Sequence, residues 1–406
     1  MLLHALVIVL FSSSLSQIAD WPQLRGPTGH GHYAGKLPTR WSEQENIVWS
    51  LDLPGLGWSS PITVAGKIYL TTAIKNDDES HSLRALCIDF ATGQEVWNTE
   101  VFVQPRNAPR IHSKNSHASP SPIINDGKCY VHFGHMGTAC LDDTGQILWK
   151  QQEHRYKPTH GNGGSPCLVK NHLIFSCDGE DMQAVIALDA STGATAWKVE
   201  RKASPGRPFS FGTPLHIQHD GISQVISAGS DVVMSLNPKT GQEYWRFQYQ
   251  GYSQIPVPLY HHGLIYICTG YDTPKLLAIR AGGNGNITET HLAWQVTRNV
   301  GHTPTPVLVD DLLFLVADNG VMSCLDAKSG EQRWQQRLPG NYSASILHAD
   351  SVLYVLNEQG VCTVLEAGDR YREISKNSLP GRTLASPIPY QGKLLIRTDQ
   401  KLYCIR

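Results

Sequence analysis

Residues 187–197 read ALDASTGATAW, and the same phrase recurs along the chain. It contains a small residue, a hydrophobic residue, an acid or Asn, a Thr-Gly or Ser-Gly pair, and a tryptophan. Further copies are CIDFATGQEVW at 87–97, SLNPKTGQEYW at 235–245, CLDAKSGEQRW at 324–334 and, one residue shorter, CLDDTGQILW at 140–149. Repetition at this fidelity indicates a chain built from copies of one supersecondary unit.

Each unit predicts four short strands. In the unit that contains 187–197, the apolar segments SPCLV, LIFSC, AVIALD and TAWKV are separated by polar turns. The glycine of the Thr-Gly pair accepts the positive φ of a hairpin turn, and no segment between the strands has helical periodicity. The repeat tryptophans stand at positions 49, 97, 149, 197, 245, 294 and 334. Four-stranded units of this length predict an all-β fold, a β-propeller.

The number of blades follows from a second marker. A Ser-Pro, Thr-Pro or Val-Pro pair opens seven of the units, and Ser345 stands at the same place in one more. The last unit, ASPIPYQGKLLIRTDQKLYCIR, lacks its fourth strand, whereas NIVWSLDLPG near the N-terminus has no strands before it. We therefore predict an eight-bladed propeller over residues 45–406, closed by pairing of the N- and C-terminal strands, which removes an exposed sheet edge.

The A-x-D-x-x-T-G-x-x-x-W phrase resembles the tryptophan-docking motif of pyrroloquinoline-quinone-like (PQQ-like) propeller repeats. Such repeats occur in quinoprotein alcohol dehydrogenases and in the propeller lipoprotein of the outer-membrane barrel-assembly machinery. The resemblance covers about residues 45–406 and implies the fold rather than an activity. A quinoprotein dehydrogenase would further imply a pair of adjacent cysteines and acidic metal ligands beside the quinone. None of the nine cysteines of this chain adjoins another.

The N-terminus has a targeting pattern. The apolar run MLLHALVIVLF, followed by SSSLSQIAD, predicts a signal peptide over residues 1–19, cleaved after Ser16 or Ala19. A buried N-terminal strand is the alternative. No cysteine follows the run, so we expect no lipid anchor. Residues 20–44 then form a lead segment ahead of the propeller, in which we expect Trp21 to matter much less for stability than Trp197.

Composition excludes several function classes. The chain has 34 Lys and Arg against 35 Asp and Glu, and this balance argues against a nucleic-acid partner. No interior stretch approaches the length of an apolar membrane span. We expect a secreted or periplasmic monomer.

Long insertions predict one functional face. They all lie in loops between second and third strands or in connections to the next blade, which open on the same side of a propeller: 75–84, 101–117, 153–163, 178–181 and 201–211. Elaborated loops on a rigid scaffold are common binding sites. The candidate binding residues are the cations and histidines of three of these loops: Arg106, Arg110, His112, Lys114, His117, Arg155, Lys157, His160, Arg201 and Arg207. Solvated loop charge, partly matched by neighbouring acids, is the alternative.

A second candidate site involves histidines near the propeller axis. His117 and His302 each precede an innermost strand, so the two side chains could converge with Arg298 at the channel mouth and bind a ligand or a metal. The alternative is that each histidine is hydrogen-bonded to nearby backbone.

Catalytic signatures are absent from the sequence. It has no HExxH and no GxSxG, so we predict no catalytic residue, no metal ligand set and no cofactor. The function we expect is that of a non-enzymatic binding or scaffold propeller, which engages a protein or an anionic polymer through the long loops of blades 1 to 4. The alternatives are a quinone- or metal-dependent oxidoreductase with its site in the central channel, and a scaffold for envelope assembly.

Overall fold

The computed structural model describes residues 20–406, so the predicted signal peptide lies outside the described residues. The strands of this part of the chain form eight sheets arranged as the blades of a propeller. Its two helices are single turns, Gly134–Met136 and Thr288–His291. Neither helix has the length and hydropathy to cross a membrane. The predicted all-β, eight-bladed fold is confirmed.

Each of the first four blades is an antiparallel meander whose strands follow in chain order from the axis outward. Blade 1 contains Ile62–Val64, Lys67–Lys75, His81–Asp89 and Glu95–Gln104. Blade 2 contains Ile123–Asn125, Lys128–His132, Thr138–Leu141 and Ile147–Gln151. Blade 3 contains Cys167–Val169, His172–Asp178, Gln183–Asp189 and Thr195–Glu200. Blade 4 contains Leu215–His219, Ile222–Gly229, Val232–Leu236 and Glu243–Gln248.

Blades 5 to 7 repeat the same order. Blade 5 contains Leu259–His261, Leu264–Cys268, Leu276–Arg280 and Leu292–Val296. Blade 6 contains Val307–Val309, Leu312–Val316, Val321–Asp326 and Gln332–Arg337. Blade 7 contains Leu347–Ala349, Val352–Leu356, Val361–Glu366 and Glu373–Ser378.

Blade 8 is assembled from both ends of the chain. Ile388–Tyr390, Lys393–Arg397 and Lys401–Ile405 supply its three inner strands, and Ile47–Asp52 supplies the outer one. The outer strand pairs antiparallel with Lys401–Ile405, and the Lys401 ammonium lies 2.6 Å from the Asp52 carboxylate. The closure predicted from the sequence is confirmed.

Two blades gain a fifth, very short strand. The enlarged turn of blade 5 contains Gly285–Asn286, which pairs in parallel with the outer strand of blade 4. His32–Tyr33 pairs in parallel with the innermost strand of blade 7. The irregular turn AIRAGGNGNITETHLAW therefore links neighbouring blades.

Repeat tryptophans bridge successive blades. The Trp197 indole N–H of blade 3 donates to the Pro238 carbonyl of blade 4 over 3.1 Å, and its ring covers Gly241 in the Thr-Gly turn of that blade. The same packing of an indole ring on a glycine turn joins Trp49 to Gly93, Trp97 to Gly145, Trp149 to Gly193 and Trp294 to Gly330. A flat aromatic ring fits a glycine turn closely because no β-carbon separates the two surfaces.

Residues 20–37 cross the end of the central channel. Trp21 exchanges two backbone hydrogen bonds with Thr63 of blade 1, and Pro22 accepts one from Ile124 of blade 2. Farther along, Gly31 accepts a hydrogen bond from His348 of blade 7. We call residues 20–37 the N-terminal plug. The expectation that Trp21 lies ahead of the propeller was wrong, because the residue pairs with blade 1 and is 2% exposed, against 9% for Trp197; this burial argues against a smaller stability cost for its substitution.

The N-terminal plug carries a buried arginine. The guanidinium of Arg25 donates to the backbone carbonyls of His30, Pro306 and Ile346, and so ties the plug to blades 6 and 7. No carboxylate is within ion-pair distance in the described chain, and burial lowers the pKa of Arg25 to about 9. Backbone carbonyls alone therefore solvate this charge.

Candidate functional site

A ring of hydroxyl groups surrounds the propeller axis. Two residues before each innermost strand, seven of the eight blades have Ser or Thr, and each hydroxyl accepts a hydrogen bond from the backbone N–H of the equivalent residue one blade earlier. The bonds are 2.8–3.2 Å long. The ring consists of Ser60, Ser121, Ser165, Thr213, Thr305, Ser345 and Ser386. Val257 of blade 5 interrupts it.

This hydroxyl ring lines a central cavity of about 380 Å³. The cavity opens on the face that carries the long loops. Leu24 of the N-terminal plug is also part of its lining, so the plug lies across the opposite end.

One wall of the cavity is aromatic. Phe209, Phe211, Tyr252 and Tyr271 all line it. The ring centroids are 5.5 Å apart for Phe209 and Tyr252, and 6.0 Å apart for Tyr252 and Tyr271, in edge-to-face arrangements. Trp58 of blade 1 also belongs to the lining. Aromatic side chains present broad apolar surface together with a polar edge.

Three of the predicted loops meet around the mouth. Ile111 pairs with His160 in a parallel bridge, and His160 also accepts hydrogen bonds from the backbone of His112 and the side chain of Asn115. The 201–211 loop joins blade 5 through the backbone bond from Ser253 to Phe209, which is 2.9 Å long. These contacts come from the connections that the sequence identifies as insertions.

The 101–117 loop is also anchored across the mouth. The Lys114 ammonium lies 2.7 Å from the Glu358 carboxylate of blade 7, and Arg382 donates to the Ser113 carbonyl over 2.9 Å. Burial raises the pKa of Glu358, but hydrogen bonds from Lys114 and Ser343 outweigh it and leave the pKa lowered. This loop is therefore held in place by charge pairing rather than left free in solvent.

The structure separates the predicted loop cations into two groups. Arg106, Arg110, Arg155 and Lys157 are exposed and form no ion pair within residues 20–406. Lys114 is paired with Glu358, and Arg207 lies over the Tyr252 ring and 3.8 Å from Asp272. Arg110 and Lys157 border a cleft of about 760 Å³ that Glu180 also lines.

Arg201 lies elsewhere. Its side chain is 1% exposed and makes a two-point ion pair with Asp178, at 2.7 and 2.9 Å. It also donates to the Ser227 carbonyl of blade 4. Arg201 thus joins blade 3 to blade 4. It contributes nothing to the exposed surface, because its side chain is buried and Asp178 neutralises its charge.

The predicted histidine pair is not brought together. His302 lines the cavity, where its Nδ1 lies 3.1 Å from the Asp318 carboxylate. His117 does not line the cavity; its ring packs on His81 at 4.4 Å, and burial lowers its pKa to about 4. Arg298 is exposed and does not line the cavity either. The histidines that do meet at the mouth are His112 and His160, with ring centroids 5.6 Å apart.

Several residues that line the cavity could not be predicted from the sequence. The aromatic wall has no motif, because its members come from separate connections that only the closed ring brings together. The hydroxyl ring does have a signal, since Ser or Thr recurs before the Pro markers, but the start of a strand explains that pattern equally well.

The described part of the chain contains no site built for metal binding or for thiol chemistry. Residues 20–406 contain no group of three or more His, Cys, Asp or Glu side chains placed to hold a metal ion. All nine cysteines are buried and unpaired, and burial raises the pKa of the Cys87 and Cys140 thiols to about 11.

Known proteins share this architecture. BamB from Burkholderia pseudomallei is 23% identical over 380 residues, which cover 91% of this chain and 80% of that protein. The crystal structure of BamB from Moraxella catarrhalis superposes with a TM-score of 0.62 at 14% identity, covering 88% of this chain and 98% of that one. Quinohemoprotein alcohol dehydrogenase from Comamonas testosteroni gives a TM-score of 0.65 at 12% identity, covering 95% and 80%. At these identities the structures show the fold alone.

A family profile matches the whole propeller. The profile described as outer membrane protein assembly factor BamB matches residues 39–185, 181–289 and 287–406 in succession, and these matches together span the whole propeller. The chain therefore belongs to the family described as outer membrane protein assembly factor BamB.

Proposed function

We propose that this protein is a non-enzymatic scaffold of outer-membrane protein assembly, which engages a protein partner through the face that carries the long loops. Membership of the BamB family supports the role and agrees with the secreted or periplasmic location predicted from the sequence. We choose this face because the loops 101–117, 153–163 and 201–211 converge around one mouth.

The chemistry of that face favours an acidic partner segment. Arg106, Arg110, Arg155 and Lys157 are exposed, and within the described chain none forms an ion pair. Their fields add on one side of a molecule whose net charge is only −1. Because the loops are fixed to one another, docking a partner costs little loop ordering.

The quinone-dependent oxidoreductase is the second candidate, on the strength of the fold it shares with the quinohemoprotein dehydrogenase. The residues fit it poorly, because the chain offers no adjacent cysteines and its buried thiols are far from one another in sequence. Absorption spectroscopy and metal analysis of the purified protein distinguish the two. A stoichiometric quinone chromophore or bound metal would overturn the scaffold proposal.

Charge reversal tests the docking face. The triple variant R106E, R110E and R155E should lose most of the outer-membrane assembly proteins that the wild type captures from envelope extract, and capture should weaken steeply with salt because exposed charges are screened over about 8–10 Å. The matched control is K239E, R280E and R370E, three exposed cations at the end of a third strand or in the turn that follows it, on the opposite face. Equal capture by both triple variants would contradict the proposed face.

A further inference from the structure

The central cavity has the chemistry of a ligand site that is separate from the exposed loop cations Arg106, Arg110, Arg155 and Lys157. Its lining combines an aromatic wall with a ring of hydroxyls, and its volume of about 380 Å³ lies within the range of small-molecule sites. The N-terminal plug lies across the end opposite the mouth and contributes Leu24 to the lining. We propose that this cavity binds a neutral saccharide.

The hydroxyl ring supplies the polar floor. Each of its seven oxygens already accepts a backbone N–H, and none of the seven donates a hydrogen bond to another residue between 20 and 406. A serine or threonine hydroxyl has one proton and two lone pairs. Each group therefore keeps one donor and one acceptor position for an occupant, as the hydroxyls of a sugar also do.

Trp58 extends the aromatic surface to the blade 1 side of the cavity. It lines the cavity and is 7% exposed.

The aromatic wall selects for a ring with C–H faces. Tyr271 remains 49% exposed at the mouth, an unusual placement for a large aromatic side chain, and Phe209 and Tyr252 continue its surface inward. The apolar faces of pyranose rings stack on aromatic surfaces of this kind, while their hydroxyls point to the side.

Charge at the mouth is balanced, which distinguishes a neutral sugar from an anion. Lys114 and Arg382 share the Glu358 carboxylate, Arg207 lies near Asp272, and Asp318 contacts His302, whose pKa burial lowers, so three cations stand against three carboxylates. An anionic ligand would have to compete with these carboxylates for the same cations. The cavity therefore offers hydrogen bonds and stacking without a net charge.

A panel of defined sugars tests the proposal on the full chain. The neutral probes are cellobiose, maltose and N,N′-diacetylchitobiose with the corresponding trisaccharides, and digalacturonic acid is the anionic probe; binding is measured by isothermal titration and ligand-observed NMR. At least one neutral probe should bind with a Kd below about 1 mM, with little dependence on salt. Failure of every neutral probe, or stronger binding of digalacturonic acid, would overturn the proposal.

Two variants then locate the site. Tyr271→Ala should weaken binding at least tenfold, and Tyr252→Ala, which removes the neighbouring ring of the aromatic wall, should weaken it several-fold. Tyr371→Ala, beside Trp334 and outside the cavity, is the control and should leave binding unchanged. Unchanged binding in Tyr271→Ala, with native melting of each variant, would place the sugar elsewhere and defeat the inference. None of these outcomes depends on the loop cations, so capture of a protein partner can succeed or fail independently.

Discussion

Each repeat glycine serves two purposes at the scale of a single residue. Gly241 has φ +72°, a backbone conformation that side chains rarely adopt, and a β-carbon placed on it would lie 2.8 Å from the Trp197 ring. The sequence motif therefore pairs a turn requirement in one blade with a packing requirement from the blade before it. Gly221 has almost the same φ, +75°, but a β-carbon placed on it would have nothing within 4 Å.

This contrast separates the two requirements experimentally. Gly221→Ala should lower the free energy of unfolding by about 1–2 kcal/mol, through the left-handed conformation alone. Gly241→Ala should cost about 1–3 kcal/mol more, because the methyl group displaces Trp197. Chemical denaturation of both variants measures the difference. Equal losses would show that the tryptophan adapts to the methyl group without cost.

At the scale of secondary-structure elements, the hydroxyl ring joins the innermost strands of neighbouring blades. A side-chain oxygen in each blade of the ring satisfies a backbone N–H of the blade before it, so the ring works across strands that do not share a sheet. Blade 5 lacks this group, because Val257 stands where Thr305 stands in blade 6. Val257 itself still donates its N–H to the Thr305 hydroxyl, over 3.1 Å.

Completing the ring should stabilise the protein. In Val257→Thr, a hydroxyl of almost the same shape can accept the Thr213 N–H, and the free energy of unfolding should rise by about 0.5–1.5 kcal/mol. The converse change, Thr305→Val, should lower it by about 1–3 kcal/mol, because it removes the acceptor of the Val257 N–H. Thermal and urea melts of the two variants provide the measurement. A destabilised Val257→Thr would show that the gap is a packing requirement of blade 5.

The strands and blades could be predicted from the sequence, but the lining of the cavity could not. Strand order, blade number and the split last blade all follow from local turn chemistry and a repeated pattern, both of which a single chain displays. The aromatic wall does not follow, because Phe209, Tyr252 and Tyr271 are far apart until the ring closes. The expectation that Arg201 lies on the surface rests on its cationic loop, and no local pattern reveals that Asp178 lies opposite it.

At the scale of the whole molecule, the N-terminal plug adds further contacts between blades that are distant from one another in sequence. Trp21 contacts blade 1, Arg25 ties blades 6 and 7, and His32 pairs with blade 7, so one short segment holds distant blades together. The sequence suggests a lead segment of little consequence, because 20–44 lacks the repeat pattern. Trp21, Arg25 and Leu37 are nevertheless buried against the ring.

Truncation separates the plug from the closing strand. Relative to 20–406, the fragment 38–406 loses the plug but keeps Ile47–Asp52, and it should remain monomeric with a substantially lower melting temperature. The fragment 53–406 also exposes the edge of Lys401–Ile405 and should aggregate or exchange strands. Size-exclusion chromatography with light scattering distinguishes these outcomes. A monomeric 53–406 fragment that unfolds cooperatively would show that the ring does not require its closing strand.

Acid should loosen the plug. Burial lowers the pKa of His30 to about 4 and that of His32 to about 3, with Arg25 opposing protonation of both and His348 opposing protonation of His32. Since the ordinary histidine pKa is about 6.5, the unfolded chain takes up protons first as the pH falls. The stabilising contribution of these groups is therefore complete above about pH 6.5 and is lost progressively toward about pH 3–4.

The slope of stability against pH measures this contribution. His32→Gln should reduce the loss of unfolding free energy between about pH 7 and about pH 4, because one group no longer binds a proton on unfolding. His291→Gln, in the short helix of blade 5, is the control and should leave the slope as in the wild type. An unchanged slope in His32→Gln would show that the acid sensitivity arises in other buried histidines.

The split blade also fixes the order in which the chain can mature during synthesis. Ile47–Asp52 emerges from the ribosome long before its partner Lys401–Ile405, and Arg25 emerges well before the carbonyls of blades 6 and 7 that it binds. Neither can complete its native contacts until most of the chain has been translated. Early blades can stack as they emerge, but their ends stay open, and contacts that join residues more than 300 positions apart form slowly. A nascent chain of this design therefore cannot close its ring until Lys401–Ile405 has been translated, however many blades have already stacked.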